Sequence, residues 1–579
     1  MSGISTSDIF VIGEDAKGGR LDDSTISYYR SIVSAIDSTD DTSGDIDIES
    51  AANRAIHDLP TAIYRLCVNR QGSKALQTII SRCSPIECRF FMQRIDHLVL
   101  ALTGDRCASH VIQSAINRLS SLINTEFDDE SQEGFEHVMS ASDIINQLAD
   151  RFTPHLVVLA TQASSSFIIR GMIDIDLSSV LTSWTETFID QLDQVTCNTF
   201  GSATLQHLVV TLQKRGLDDT LRPLLQAVLA RFEDLVQDRA GSHLVECAVR
   251  HTPDDLYLDL LQRHCLRRVG PLSLGLTSNH VVQRLLEGVR DQAQAQLLIQ
   301  PLLDQVPTLI RRGRAGVVLA LVGCAARLQC MQKDVFRAVC RAHDVQDPAA
   351  DKSICHRLIE SHGEIGSRFV QGLVQLGGQQ QRLVIESFLS AGPEWIQSLS
   401  LDRSGSHAVD TIIKSGMIPG KSLRQLCSGL DLAKLALDRY GSYCLQALYD
   451  RVDLGLKKRI VAVLSDHQQQ LEATRHGPVL LAKLRVGDFK TRGEAHWEHQ
   501  MGRDVNTKNI FSDIIGDDDN EGGFKPKSVK KQKEEGVIKP KSDKNQKEGV
   551  IKPKSDKKRK EVGDVKPKPN KKRKHKERS

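Results

Sequence analysis

The sequence is short of aromatic residues and has no long apolar run. Phe, Trp and Tyr make up 4% of the 579 residues, although hydrophobic residues together make up 40%. Such a composition favours an extended core of stacked helical repeats. The longest apolar run, between Arg314 and Arg327, is too short to cross a bilayer. The first thirty residues lack the basic start and apolar stretch of a signal peptide. We therefore expect a soluble intracellular protein with no membrane partner.

Paired cysteines and catalytic motifs are also absent. The thirteen cysteines include no Cys-x-x-Cys pair, and several lie in apolar helical patterns, as Cys67, Cys107, Cys247 and Cys444 do. This usage is typical of free, buried thiols in a reducing compartment. The chain has no His-Glu-x-x-His, no Gly-x-x-x-x-Gly-Lys-Ser/Thr and no Gly-x-Ser-x-Gly motif. We expect neither an enzyme nor a bound metal or cofactor.

What the sequence does contain is a repeated six-residue stretch, small-Ser-x-x-apolar-Gln, here called the hexad. Eleven copies begin at Gly72, Ala108, Ser165, Gly201, Gly241, Ser278, Arg314, Gly366, Gly405, Gly441 and Gly477. The steps between successive second residues are 36, 57, 36, 40, 37, 36, 52, 39, 36 and 36 residues. This is a unit of about 36 residues with two insertions, and a fixed period in this range predicts a solenoid.

The hexad predicts one helix with two faces. Its fourth and fifth residues are apolar and continue into apolar residues three or four places on, which is the spacing of a buried face. The second, third and sixth residues, such as Ser73, Lys74 and Gln77, are expected to share one exposed patch. Stacked repeats would align these patches, so that planar or cationic third residues could sandwich bases and polar pairs could bond base edges. The candidate stacking residues are Lys74, His110, Phe167, His243, His280, Arg368, His407 and Tyr443.

The repeats are expected to occupy residues 51–490. Residues 1–50 hold eleven acidic and three basic residues without a helical period, which predicts disorder. We expect a first helix near Ile56 to Val68, a hexad helix from Gly72 and a third helix opened by Pro85, an order that then repeats. Insertions fall near 121–142, where an acidic surface loop is expected, and near 325–360, where QDPAADKS interrupts helical sequence.

A predicted linker at 491–524 leads to a lysine-rich tail at 525–579. The tail has four units that begin Lys-Pro-Lys, and it holds 23 Lys and Arg against 8 Asp and Glu. Its net charge is therefore +15, which leaves −12 for the rest of a chain whose total is +3. Such a tail is typical of a nuclear address or a phosphate-binding arm; a merely solubilising tail is the alternative. The candidate nuclear-targeting residues are Lys557, Lys558, Arg559, Lys560, Lys571, Lys572, Arg573 and Lys574.

The hexads and their period resemble Pumilio repeats, a family of modular readers of single-stranded RNA. Eleven repeats, an acidic insertion after ASHVIQ and the basic tail resemble the divergent branch of this family that acts in small ribosomal subunit biogenesis. The resemblance implies an all-α, right-handed superhelical solenoid of about eleven three-helix repeats, C- or U-shaped, with disordered termini and with the hexad helices on its concave side.

The resemblance also implies that the second and sixth residues of each hexad read base edges. The implied pairs are Ser73 with Gln77, Ser109 with Gln113, Ser166 with Arg170, Ser202 with Gln206, Ser242 with Glu246, Asn279 with Gln283, Ser367 with Gln371, Ser406 with Asp410, and Ser442 with Gln446. Ser/Gln pairs would read adenine and the Asn/Gln pair uracil, and Glu246 can accept both N–H groups of a guanine edge. Gly316 and Pro478 mark repeats that have lost the polar pair, and Ala203 offers nothing to stack.

The family's role implies a nuclear and nucleolar RNA-binding protein that binds precursor rRNA and assists small-subunit processing. Its partners would be this RNA and pre-ribosomal assembly factors, and the protein would act as a monomer. Two alternatives stay open. One is a helical-repeat scaffold for protein interactions, which has no reason to keep the hexad register. The other is a Pumilio-like binder of nucleic acid without sequence preference.

Overall fold

The computed structural model describes residues 21–38, 48–60, 63–123 and 138–501. The chain divides into two units, residues 1–505 and 506–579, and the second unit lies outside the described residues. Within the described ranges every regular element is a helix and none is a strand, which confirms the all-α prediction. No helix among these residues is long and apolar enough to cross a membrane.

Eleven repeats of three helices follow one another. A short first helix leads into a second helix that carries the hexad, called the hexad helix, and a third helix closes the repeat. The hexad helices are Arg70–Arg82, Ala108–Leu122, Ser165–Ile173, Thr199–Lys214, Arg239–His251, Ser278–Gly288, Ala315–Leu328, Glu364–Gln375, Gly405–Lys414, Gly441–Arg451 and Gly477–Lys483. The first helices are Ile63–Val68, Val99–Gly104, Leu156–Thr161, Leu192–Thr196, Phe232–Leu235, Val269–Leu274, Val306–Arg311, Ile354–His362, Pro393–Leu401, Leu432–Leu437 and Gln468–Glu472. The third helices are Pro85–Ile95, Ala141–Phe152, Ser178–Asp190, Asp218–Ala230, Asp254–Leu260, Gln292–Ile299, Gln332–Ala342, Gly378–Ser390, Gly420–Gly429, Leu454–Asp466 and Val486–Arg492.

Other helical segments lie at the ends of the array and within its joins. Asp23–Ser38 and Ile48–His57 precede the first repeat, and residues 494–501 are helical after the eleventh. Asp96–Leu98, Thr153–His155 and Gln300–Gln305 are 3₁₀ segments, and Leu261–Cys265 is a π segment.

Six of the eleven hexad helices in the described residues begin next to an Asn or Asp side chain that caps them. Asn69 accepts the backbone N–H groups of Gln71 and Gly72 at 2.9 and 3.0 Å, and Asp238 accepts those of Ala240 and Gly241 at 2.8 and 2.7 Å. The same cap recurs at Asp105, Asn198, Asp402 and Asp438. Each cap satisfies two of the N–H groups that a helix start leaves without an intrahelical partner.

The small first residue of the hexad has a packing reason. A Cβ on Gly72 would lie 2.5 Å from the backbone oxygen of Leu66, and one on Gly405 would lie 2.6 Å from that of Leu399. Where serine replaces glycine, its hydroxyl donates to the corresponding carbonyl, as Ser165 does to Leu159 at 2.7 Å. The first residue is therefore small because the preceding helix crosses directly over it.

The core runs along the stacked hexad helices, because each of the first nine packs against the next. The fourth and fifth hexad residues lie in this core: Val111 and Ile112 are fully buried, and so are Leu244 and Val245. They belong to one hydrophobic cluster that extends from Tyr29 to Trp497. Burying an aliphatic side chain of this size stabilises the fold by about 1.5 to 3 kcal/mol, so the array is held together by contacts between neighbouring repeats.

The structure corrects the predicted N-terminal region. The prediction of disorder over 1–50 is wrong for Asp23–Ser38, a helix that packs on the first hexad helix and buries Tyr29 and Ile36. The single helix predicted near Ile56 to Val68 is also wrong. Ile48–His57 ends before Pro60, which cannot donate a helical N–H, and Ile63–Val68 is a separate helix.

The predicted linker and the second insertion are shorter in the structure than expected, because helices occupy part of each. The linker was expected from residue 491, but residues 494–501 are helical, and the indole N–H of the buried Trp497 donates to Leu484 O at 3.4 Å. In the second insertion, helices continue to Ala342 and resume at Ile354. Most of the first insertion, like the tail and its nuclear-targeting residues, lies outside the described residues.

Candidate nucleic-acid interface

One burial pattern recurs in the nine hexads that keep the polar pair. The first, second, fourth and fifth residues are buried, except for small variations, while the sixth is half-buried. The third residue is exposed in eight of the nine, and Ala203 is half-buried. Phe167 and Tyr443 are 45% and 60% exposed, which is unusual for aromatic residues in a chain with so few of them. The exposed third residues and half-buried sixth residues of these hexads form one surface, here called the hexad face.

The second residues are not exposed. The prediction that Ser73 shares an exposed patch with Lys74 and Gln77 is wrong, because Ser73 is only 2% exposed and its hydroxyl donates to Cys107 O of the next repeat at 2.8 Å. Ser202 and Ser367 make the same bond to the following repeat, each at 2.6 Å. Ser109, Ser242, Ser406 and Ser442 are also buried and donate to the carbonyl three residues earlier in their own repeats. These serines therefore position the backbone, and because each hydroxyl has used its one proton it can only accept hydrogen bonds from other partners.

The sixth residues are oriented by the second ones. Gln77, Gln206 and Gln371 each donate their Nε2 to the serine hydroxyl four residues earlier, at 3.1, 3.1 and 3.2 Å. Gln283 donates to Asn279 Oδ1 at 3.0 Å, while Asn279 donates to Gly275 O and Leu276 O. Because the amide nitrogen faces the serine, the carbonyl oxygen of each glutamine is the atom available to an outside donor.

Three of the remaining sixth residues, Glu246, Arg170 and Asp410, are charged. Glu246 lies 3.4 Å from His243 Nδ1 and 3.6 Å from Arg284 Nε, yet its buried Oε1 has no hydrogen-bond partner in the described part of the chain. Arg170 lies 4.3 Å above the ring of Phe167, and burial lowers the pKa of its guanidinium. Asp410 bonds Lys414 Nζ at 2.7 Å. Gln113 makes no side-chain hydrogen bond within the described ranges.

Neighbouring hexads share grooves. One groove of about 400 Å³ joins repeats nine to eleven, and its lining includes His407, Asp410, Arg439, Tyr443 and Gln446. A second, of about 470 Å³, joins repeats three to six, and its lining includes Arg170, Gln206, His243, Glu246 and Arg284. The third and sixth residues of adjacent repeats thus meet in common depressions, where a planar group could contact two repeats at once.

Comparison with known proteins identifies this architecture. The profile of the NOP9-like PUF repeat domain matches residues 64–175 and 176–478, most of the chain. The chain belongs to the NOP9-like PUF repeat family. Pumilio homolog 23 of Arabidopsis thaliana is 21% identical over 579 residues, which cover 86% of this chain and 75% of that protein. Nucleolar protein 9 of Homo sapiens is 21% identical over 590 residues, which cover 86% of this chain and 91% of that protein.

Solved structures show the same fold. "Structure of APUM23-GGAAUUGACGG" superposes with a TM-score of 0.72 at 20% identity and covers 83% of this chain and 99% of that chain. "Structure of APUM23-GGAUUUGACGG" gives a TM-score of 0.71 with the same coverage. The Pumilio resemblance drawn from the hexads is therefore confirmed. The nucleolar names of the relatives support a nuclear and nucleolar localisation.

The two degenerate repeats of this PUF array differ from the other nine. In the seventh, a Cβ on Gly316 would lie 2.7 Å from Gln283 Oε1, so the missing side chain leaves room for the amide of the sixth repeat. In the eleventh, Pro478 and Val479 are exposed, and Lys483 donates to Gln446 Oε1 at 2.9 Å. Sequence reasoning missed Lys483. The available signal was a basic residue four places, about one helical turn, after the third hexad position.

The described residues hold no cluster of three or more His, Cys, Asp or Glu that could bind a metal ion. None of the thirteen cysteines, all of which lie in the described residues, forms a disulfide bond. The prediction of buried thiols is confirmed for Cys67 and Cys444 and is wrong for Cys107 and Cys247, which are half-buried. Burial raises the pKa of the Cys67 and Cys444 thiols to about 12, so both stay protonated and unreactive near neutral pH.

Proposed function

We propose that this NOP9-like PUF chain is a nucleolar RNA-binding protein that binds precursor rRNA of the small subunit and assists its processing and assembly. The observation that carries the proposal is the hexad face itself. Eight repeats present the same arrangement of an exposed third residue beside a half-buried polar or charged sixth residue, and the fourth differs only in its half-buried Ala203. Exposed side chains in a fixed register along a repeat array are typical of proteins that read one base per repeat.

The names of the relatives support this proposal. The human relative is called a nucleolar protein, and the two superposed plant structures name an RNA sequence beside the protein. We propose that single-stranded RNA lies along the hexad face of this chain, with assembly factors as further partners and with the protein acting as a monomer.

The geometry gives the slots distinct chemistry. In the slots of Gln77, Gln206 and Gln371, an outward amide oxygen can accept from a base amino group, as adenine recognition requires. Glu246 places a carboxylate, 3.4 Å from His243 Nδ1 and 3.6 Å from Arg284 Nε, where the other slots have an amide, and a carboxylate can accept both N–H groups of a guanine edge. Gln446 differs, because its oxygen is already occupied by Lys483, and this slot presents donors instead.

The test removes one slot without disturbing the packing. In the eighth repeat Arg368 is exposed and Gln371 is half-buried. Ser367 should be kept, because its hydroxyl donates to the backbone of the next repeat. We expect the Arg368→Ala, Gln371→Ala variant of the full chain to bind small-subunit precursor fragments more weakly by roughly 1 to 3 kcal/mol, the scale of one lost base stack. Fluorescence anisotropy with a scrambled RNA as reference measures this loss.

The matched control changes an arginine and a glutamine on the third helix of the same repeat. Gln379 and Arg382 are exposed on Gly378–Ser390, away from the hexad, so Gln379→Ala with Arg382→Ala should leave the affinity unchanged. Equal losses in both variants would favour binding without sequence preference. No RNA binding by the parent chain would favour the protein-interaction scaffold.

A further inference from the structure

Six repeats place an arginine at the same position beside the hexad helix. Each is preceded by an Asn, Asp or Thr whose side chain accepts the N–H group at the hexad's first residue. These arginines, called the arginine row, are Arg70, Arg106, Arg239, Arg403, Arg439 and Arg475.

The acidic neighbours of the row do not neutralise it. Asp238 and Asp438 each use one carboxylate oxygen to accept two backbone N–H groups, and no ion pair joins them to Arg239 or Arg439. The capping carboxylate therefore serves the helix start, and the guanidinium beside it keeps its charge.

The row is exposed and makes no polar contact within the described residues, although the Arg439 guanidinium lies 5.8 Å from the centroid of the Tyr440 ring. All six side chains are exposed, and none makes a hydrogen bond or an ion pair within residues 63–123 and 138–501. Some exposed arginines elsewhere in the array pair with carboxylates, as Arg222 does with Asp255 and Arg424 with Asp453, so the row differs from these by its position at the helix starts. A cation at a helix start also opposes the helix dipole. These positions therefore carry positive charge that helix stability does not favour.

The row lies beside the candidate base slots. Successive hexad helices pack side by side up to the tenth, so residues at their first turns lie along one edge of the hexad face. In the groove shared by repeats nine to eleven, Arg439 lines the same space as His407 and Tyr443. A strand whose bases contacted those side chains would bring its phosphates within reach of this edge.

We infer that the arginine row holds the phosphodiester backbone of the RNA whose bases meet the hexad face, an inference that rests on the proposed function. Guanidinium groups bind phosphate oxygens through paired N–H donors. The chain before Lys525 carries a net charge of −12, so its overall charge cannot attract RNA. The arginine row would supply the local positive charge that binding to phosphate requires. Five of the six arginines lie in repeats one and two and in repeats nine to eleven, and Arg239 lies in repeat five, so both ends of the array would bind the strand.

The test separates backbone contacts from base contacts in the full chain. Arg403→Ala, Arg439→Ala and Arg475→Ala together remove the C-terminal part of the row. The matched control is Arg267→Ala, Arg337→Ala and Arg341→Ala, which changes three exposed arginines away from the hexad helices. Both triples remove the same formal charge, so they differ only in where it lies.

Binding to oligouridylate, oligoadenylate and the precursor fragments is measured over a range of salt concentrations. We expect the Arg403, Arg439, Arg475 variant to bind all three RNAs more weakly and to a similar extent. The slope of log binding constant against log salt concentration should become shallower by about 2, since each single-strand phosphate contact contributes about 0.7. The control triple should change the slope much less.

Two results would overturn the inference: equal salt slopes for the row triple and the parent, or equal effects of the two triples. A row triple that binds RNA like the parent but loses binding to polyglutamate would assign the row to an acidic protein partner instead. Failure of the proposed function looks different. In that case the parent itself does not bind the precursor fragments, or the Arg368, Gln371 variant loses nothing.

Discussion

At the scale of single residues, the hexad combines residues that pack the helix with residues that are accessible to a ligand. Its first residue must be small because a carbonyl of the preceding helix lies against it, and its second residue ties the helix to nearby backbone. Only the third and sixth residues are left to meet a ligand. The small-Ser start of the motif thus has a structural cause, and the candidate recognition chemistry rests on fewer atoms than the motif contains.

Gly405 gives a direct test of this packing. A Cβ there would lie 2.3 Å from Leu399 Cδ1 and 2.6 Å from Leu399 O, and the backbone carbonyl cannot move aside cheaply. We expect Gly405→Ala to destabilise the array by about 1 to 3 kcal/mol, as overpacked cores do. Gly420→Ala is the control, because a Cβ at that position would meet no atom of the described residues within 4 Å. Urea unfolding followed by circular dichroism compares the two, and equal stabilities would contradict the packing argument.

His343 gives the array a pH-sensitive point between repeats seven and eight. Burial lowers the pKa of its imidazole below the ordinary value of 6.5, with the neighbouring His362 acting in the same direction. The folded state favours the neutral ring, so its stabilising contribution is present above about pH 6.5 and is lost as the pH falls toward the lowered folded pKa. The free energy of unfolding should therefore decrease below about pH 6.5.

A variant without the titrating group isolates this effect. His343→Phe keeps a ring against Phe369, whose centroid lies 5.7 Å away, and should show a flatter dependence of stability on pH between 7 and roughly 5. His97→Phe makes the same replacement at an exposed position and serves as the control. Parallel pH profiles for His343→Phe and the parent would show that the buried imidazole does not titrate with unfolding.

At the scale of elements, both ends of the repeat array are covered. Asp23–Ser38 packs on the first hexad helix, and residues 494–501 bring Trp497 against the eleventh repeat. Terminal units of a solenoid need such covers, because their outer faces have no neighbouring repeat. Each cover is therefore expected to set the stability of its end of the array.

Tyr29 tests the N-terminal cover. Its ring is 1% exposed and its hydroxyl donates to Asp58 O at 3.2 Å. We expect Tyr29→Ala to destabilise the first repeat by about 3 to 5 kcal/mol, as for other large buried side chains. Hydrogen exchange should accelerate in Arg70–Arg82 and stay unchanged in the distant repeats. Tyr443→Ala, at an exposed tyrosine, should leave exchange in the first repeat unchanged, and equal exchange in both variants would contradict the covering role.

The sequence predicted the elements that repeat and missed those that occur once. The sequence predicted the hexad helices to within a few residues, because the same apolar spacing recurs in eleven copies and an irregularity in one copy does not hide it. The helix Asp23–Ser38 is acidic and buries few side chains, so no local period separates it from a disordered segment. The burial of Ser73 was missed for another reason. A helical wheel gives angles within one helix and does not show that the next repeat's backbone lies over that side.

At the scale of the whole molecule, we expect the tail to supply nonspecific attraction to RNA and the hexad face to supply base recognition. The tail from Lys525 carries a net charge of +15, whereas the remainder carries −12. Deleting residues 525–579 should weaken binding to every RNA alike and flatten its salt dependence, because released counterions carry no sequence information. It should also reduce nuclear accumulation, which fluorescence microscopy measures. A truncated protein with unchanged salt slope and location would remove both roles from the tail.

The central claim is that each of the nine hexads with a polar pair reads one base through its sixth residue. Glu246→Gln tests it most directly, because the two side chains have the same shape while a carboxylate oxygen becomes an amide group. The parent and the variant each select from a randomised single-stranded RNA library, and the bound RNAs are sequenced. We predict that one position changes its preference from guanine to adenine while the other positions keep theirs. Unchanged preferences, or a parent without any preference, would contradict base reading by the hexad face.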